Sequence, residues 1–251
     1  MLGSVAGGTT PKLVLADGSL TVPANGYVKL TVKATLLSVD GTVITNGTAL
    51  TANLQATASV NTTGLGSGSQ ITSLAQTAIG NTMTIVKAKP AVALALTSPT
   101  GTLFPSTAQQ LAIFNVTATG DDDVTFSSGD TNLFTVEISR KQGTSDYTAG
   151  NWVLKDEAGT TLSTISVTDQ ATEVTFLFAT ADFNVAPGET TKKLYVYGDT
   201  HEYTTQYDSI QLWLSDDADA NLSYSVNSGT TIAAGTKVFR GNIYGGTFTR
   251  P

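Results

Sequence analysis

Apolar and polar residues alternate with period two along nearly the whole chain, or gather in short apolar runs bounded by turn residues. From Pro90 onward no stretch carries a 3.6-residue pattern, so the chain predicts strands and minimal helix. The first long alternation runs from Tyr27 to Val39. Turn dipeptides frame it. Asp17-Gly18 follows a short strand at Lys12–Ala16, Asn25-Gly26 precedes the run, and Asp40-Gly41 and Asn46-Gly47 bracket Thr42–Thr45. Such dipeptides favour the type I′ hairpin turn, whose twist suits its flanking strands. Leu36–Thr51 therefore reads as a small meander, Gly64–Ser69 as a loop and Asn81–Lys89 as a closing strand.

A boundary is expected at Lys89-Pro90, because proline disfavours strand continuation and a new pattern starts at Ala91. This divides the chain into an N-terminal β-sandwich module, 1–89, and a larger one, 90–251. The second part offers strands at Ala91–Thr97, Gln110–Ala118, Val124–Ser127, Leu133–Arg140, Trp152–Lys155, Leu162–Thr168, Glu173–Ala179, Lys192–Gly198, Ser209–Ser215, Leu222–Val226 and Lys237–Ile243. Short strands with a turn every 8–15 residues point to a sandwich. Pro23, Pro105 and Pro187 are spaced 82 residues apart, each just ahead of an apolar run. They mark either three divergent modules or the ordinary use of proline at the bend before a strand.

Composition narrows the function more than the fold. Only 13% of residues are charged, and 44 Thr, 20 Ser and 24 Gly supply the polar surface instead. Threonine is β-branched and suits a half-buried sheet surface. With no cysteine, disulfides, thiol catalysis and Cys-based metal sites are excluded. A net charge of −7 argues against a face that binds nucleic-acid backbone. The opening Met-Leu-Gly-Ser-Val-Ala-Gly-Gly has neither a basic nor an apolar signal region, and no apolar run is long enough to span a membrane. An exported protein would therefore carry its signal and anchor elsewhere.

Four stretches carry a family resemblance: Asn81–Pro90, Ser98–Thr102, Leu111–Ala118, and Val185–Leu194 with the following Gly198-Asp199. Together they resemble the immunoglobulin-like modules of large bacterial surface proteins. The nearest likeness is to the Thr-rich surface-layer-type proteins of ultrasmall, candidate-phylum bacteria, over roughly residues 75–250. The resemblance implies an all-β chain of tandem Ig-like β-sandwich modules, display at the extracellular cell surface and a structural or adhesive role. It implies no catalytic residues, so an enzyme is not expected.

Candidate chemistry is sparse. The lone histidine, His201, lies in the loop Asp199-Thr-His-Glu-Tyr203, and no motif supplies a partner for acid–base work. It reads as an exposed loop residue. Asp217, Asp219 and Asn221 match the Asp-x-Asp-x-Asn opening of a calcium loop, with Asp216 beside them. Leu222 stands where a helix–loop–helix site needs Gly, and the later bidentate Glu is missing, so only a sandwich-edge calcium site fits. Asp121 and Asp123, in Gly120-Asp-Asp-Asp123, form a second tentative calcium cluster, with Asp130 nearby. The alternative is that both are solvated turns whose carboxylates guard strand ends. Calcium is the one cofactor these acidic loops suggest.

Asn46, Asn61, Asn115 and Asn221 open Asn-x-Ser/Thr sequons, a pattern that chance supplies in so Thr-rich a chain. Tyr147, Trp152, Tyr195, Tyr197, Tyr203, Tyr207 and Trp213 offer either a sugar platform or core packing; alternation sends some of them inward. The terminal runs Leu13-Val-Leu and Gly241–Pro251 suit either strand addition to a neighbouring copy or pairing within their own sheets. The expected function is thus a structural subunit of a surface layer, sheath or filament, self-associating through strand pairing. The alternative is an adhesin or a carbohydrate-binding module that recognises a host-cell surface.

Overall fold

The computed structural model describes residues 19–36, 39, 44–54, 57–73, 75–129, 132–141, 150–168, 171–188, 191–216, 222–226, 230–232 and 241–251. Every regular element among them is a strand, as the period-two patterning requires. The chain divides into two compact units, one of Met1–Ser38 with Ala49–Thr84, the other of Val39–Thr48 with Ile85–Pro251.

The first unit contains β1 (Thr48–Leu54), β2 (Thr57–Thr63), β3 (Gln70–Ser73) and β4 (Ala78–Ile85). β1 pairs with β4, and β2 with β3, as separate two-stranded ribbons. A turn forms beside the expected position, but centred on Ala24-Asn25: the Gly26 N–H donates to the Pro23 carbonyl at 3.0 Å and only Asn25 (φ 58°) is left-handed, so it is not the type I′ turn expected at Asn25-Gly26. The strand expected after it does not form. Tyr27–Leu36 joins no ladder. Period-two patterning prepares a segment for a sheet, but a strand exists only where another strand meets its backbone.

The second unit is larger and layered. Its strands are β5 (Ala88–Leu94), β6 (Gly101–Thr102), β7 (Gln109–Gly120), β8 (Val124–Phe126), β9 (Leu133–Lys141), β10 (Gly150–Lys155), β11 (Thr161–Val167), β12 (Glu173–Leu177), β13 (Phe183–Val185), β14 (Lys192–Gly198), β15 (Ser209–Leu214), β16 (Tyr224–Val226), β17 (Thr230–Ile232) and β18 (Ile243–Thr249). One sheet runs β11-β10-β14-β7-β5, a second β12-β9-β15-β18-β6, and a third β13-β8-β16-β17.

One apolar core joins all three sheets. Leu194 and Val196 of β14 point inward, as do Ile210, Leu212 and Leu214 of β15, in strict alternation with partly exposed neighbours. Phe114 of β7 meets Phe134 of β9 edge-on, with ring centroids 5.6 Å apart, which ties the first sheet to the second. Trp152 of β10 is wholly buried. Phe126 of β8 packs on Phe183 of β13 and on Phe178, and so draws in the third sheet. Removing each such ring from water contributes about 1.5–3 kcal/mol.

Sequence expectations change at Pro90 and at Asn46-Gly47, and for Pro105 and Pro187 one of the two readings offered is selected. Pro90 does not end a strand but lies buried inside β5, paired with Ala118. β5 is the edge of its sheet, the position where a strand can lack an outward N–H. Pro105 and Pro187 precede β7 and β14, which pair directly, so these two prolines serve one unit rather than successive modules. At Asn46-Gly47 only Gly47 (φ 84°) is left-handed, and the Thr48 N–H donates to the Thr45 carbonyl. That is the pattern of a type II turn, not of type I′, which needs both central residues left-handed.

The C-terminal strand β18 lies inside its own sheet, antiparallel to β15 and parallel to β6. Leu13-Val-Leu falls outside the described residues, as do the turns Asp17-Gly18 and Asp40-Gly41.

Candidate functional site

Asp199, His201 and Glu202 follow β14, at the bend that leads towards β15. Asp199 is buried beside Gly150 (φ 141°), where any Cβ would collide with the Asp199 carboxylate. Thus pinned, Asp199 Oδ1 accepts the His201 backbone N–H at 3.0 Å and faces its Nδ1 at 2.5 Å. On the other side of the ring, Nε2 lies 3.2 Å from Glu202 Oε1. His201 is exposed, as expected, but it has the partners that the sequence reading lacked. The hydrogen bond that the ring donates to Asp199 holds its pKa above the usual histidine value, with the charges of Asp199 and Glu202 adding to the effect. Asp-x-His spacing was the available signal. Such a ring can bind and hold a proton. Both its nitrogens already face carboxylates, so neither is placed to activate a nucleophile.

The Asp121–Asp123 turn is held from two sides. The Asp121 N–H donates to the Lys87 carbonyl at 3.1 Å. Asp122, which is buried, pairs with Lys87 Nζ at 3.5 Å. Asp123 Oδ2 accepts from Asn184 Nδ2 at 3.3 Å, and Asn184 Oδ1 accepts from the Thr125 hydroxyl at 3.0 Å. Lys87 in turn gives its backbone N–H to Asn46 Oδ1 at 2.7 Å, so the Asn46 side chain is engaged within the unit. Asp217, Asp219, Asn221 and Asp130 lie outside the described residues. Beside them, Asp216 Oδ2 accepts the Gly241 N–H at 2.9 Å. Among the described residues, no group of three or more histidine or acidic side chains is arranged to hold a metal ion.

The aromatic residues divide between core and surface. Trp152 and Tyr203 are core, Tyr195 and Tyr197 lie half-buried on the outer face of β14, and Tyr207 is exposed. Tyr147 lies outside the described residues. Trp213 faces outward from β15, and its ring centroid is 6.1 Å from that of Tyr244 on β18. Alternation around Ile210, Leu212 and Leu214 decides that orientation.

Two features had no signal in the sequence. Asn132, fully buried, accepts the Ser127 N–H at 2.7 Å and the Ser225 hydroxyl at 3.2 Å, and so ties β8, β9 and β16 together. An open groove of about 210 Å³ lies between the neighbouring edge strands β11 and β12, lined by Ile165, Val167, Ala171, Glu173, Val174 and Thr175.

Comparison with protein-family models, with curated proteins and with solved structures gives no match for this chain.

Proposed function

We propose that the chain is a structural subunit of an extracellular surface assembly, a layer, sheath or filament built from copies of itself. The observation that carries this is the first unit's exposed apolar surface. Val28, Leu30, Val32 and Leu36 all face solvent along a segment with no strand partner, and Leu54, Ile71, Ile79 and Met83 do so on the ribbons. Two-stranded ribbons are marginal alone, and apolar surface of this kind marks a face meant for contact.

The strand order supports an Ig-like reading of the second unit. Taken in chain order, β5, β7, β9, β10, β14, β15 and β18 correspond to strands A to G. They are arranged as A-B-E-D against C-F-G, the constant-type immunoglobulin pattern. The tandem arrangement and surface location rest on the sequence resemblance. Strands of the third sheet come from the connections before β9, between β12 and β14, and after β15, while β11, β12 and β6 extend the two main sheets beyond that pattern.

Negative-stain electron microscopy of the purified chain tests the proposal, with calcium and with chelator. Filaments or sheets are expected. Single particles in both conditions would overturn self-assembly. Loss of order only in chelator would assign calcium to the loops around Asp121 and Asp123 or Asp217, Asp219 and Asn221. A second reading, a carbohydrate-binding adhesin, draws on the Trp213–Tyr244 pair on an outer sheet face. Glycan-array binding by single particles, lost in Trp213→Ala, would favour it.

A further inference from the structure

We infer that the outer face of the sheet β11-β10-β14-β7-β5 binds an acidic polysaccharide, laid across its strands along a diagonal row of lysines. The site belongs to the second unit alone, lies on a different sheet from Trp213 and Tyr244, and is independent of self-assembly.

Charge is sorted by sign in this sheet. The chain carries 20 acidic side chains against 13 basic ones, yet no strand of the sheet contains an acidic residue. Its strands carry Lys89, Lys155, Lys192 and Lys193 instead. Alternation turns three of them outward. Lys89 lies between buried Ala88 and Pro90, Lys155 follows buried Leu154, and Lys193 precedes buried Leu194. Among the described residues these three lysines have no ion-pair partner. The carboxylates next along the chain, Asp156 and Glu157, belong to the β10–β11 turn, where Asp156 Oδ1 accepts the Thr160 N–H at 2.7 Å.

The ladder register sets the lysines in line. Lys155 pairs with Tyr195, Lys193 with Asn115, Thr117 with Ala91 and Lys89 with Thr119. Each step along Lys155, Lys193, Thr117 and Lys89 therefore moves one strand across and two residues along. With strands about 4.8 Å apart and about 3.4 Å per residue, a step is about 8 Å and the row about 25 Å long. Such a row suits an extended polyanion better than a compact one.

The neighbouring side chains select the polymer. Tyr195 and Tyr197 are half-buried on the same face, and Lys155 Nζ lies 5.3 Å from the Tyr197 ring centroid. Tyrosine joins an apolar ring to a polar tip, which suits the C–H face and hydroxyls of a sugar. Asn115, Thr117, Asn151, Thr164 and Ser166 add amides and hydroxyls around the row. A nucleic-acid backbone carries one charge about every 1.7 Å, far denser than these lysines, and a chain of net charge −7 repels it. Carboxylates spaced along a glycan by neutral sugars meet the row without that crowding.

The test is fluorescence anisotropy of a labelled hyaluronan octasaccharide, which alternates uronate with neutral sugars, titrated with the full chain. It should bind, and uncharged labelled maltooctaose should bind at least about tenfold more weakly. Lys155→Ala with Lys193→Ala should weaken the hyaluronan about tenfold, from loss of two exposed charge contacts. Tyr195→Ala should weaken it by a similar factor, whereas Tyr195→Phe keeps the ring and should retain most of the binding. Lys29→Ala with Lys33→Ala removes the same charge from the first unit and should leave binding unchanged. Equal weakening by that pair would reduce the effect to net charge and overturn the site. Equal binding of maltooctaose, or of a glutamate peptide of the same charge, would overturn the acidic glycan as ligand. An octasaccharide that does not bind would overturn the inference outright. Self-assembly is decided separately, by micrographs of the same chain without glycan.

Discussion

Among single residues, His201 gives the most direct test because it is the chain's only histidine. Its folded pKa is raised by Asp199 and Glu202, so the stability it contributes is fully present below its unfolded value of about 6.5. That contribution is lost as pH rises through the folded value. Denaturant midpoints of wild type and His201→Gln should therefore differ most between about pH 5 and 6 and converge at alkaline pH. Its single imidazole resonance should titrate above the usual histidine value. Tyr224 is simpler. Burial raises its phenol pKa, and its hydroxyl donates to the Ala88 carbonyl at 3.3 Å. Tyr224→Phe leaves that carbonyl without the bond and should cost about 0.5–1.5 kcal/mol in urea unfolding. Phe114→Ala empties a fully buried site between two sheets and should cost about 3–5 kcal/mol. The histidine and the apolar run Leu111–Phe114, buried throughout, were legible in the sequence. The grip of Asp199 was not, because it depends on Gly150 meeting it from another strand.

Elements follow the sequence where their neighbours are present. Lys192–Gly198 forms the strand its alternation predicts, and Gln109–Gly120, Leu133–Lys141 and Ser209–Leu214 differ from expectation only at their ends. Tyr27–Leu36 has an equally clear pattern and forms no strand, because pairing is a property of two segments. The C-terminal tail shows the converse. Gly-rich and ambiguous in sequence, it becomes β18 because β15 and β6 flank it. Removing residues 243–251 takes an inner strand from its sheet and Phe248 from the core. The truncated chain should lose its cooperative thermal transition by circular dichroism, whereas loss of an unpaired terminal tail would leave that transition unchanged.

For the molecule as a whole, the described residues of the second unit form one core wrapped by three sheets, and those of the first form two ribbons with several apolar side chains facing solvent. A chain of this kind should show concentration-dependent association in light scattering, strengthened by salt that promotes burial of apolar surface. The sequence by itself determined the all-β class, the inward and outward faces of the strands and the absence of thiol chemistry. All of these follow from side-chain type and a repeat of two, which are local properties. Only the tertiary structure decided which strands pair, that Pro90 sits on an edge, and that Asp199 and Glu202 bracket His201. Tertiary structure also opened a groove between β11 and β12. Those outcomes depend on residues far apart in the chain meeting at hydrogen-bonding distance, and no local pattern encodes where a distant backbone will arrive.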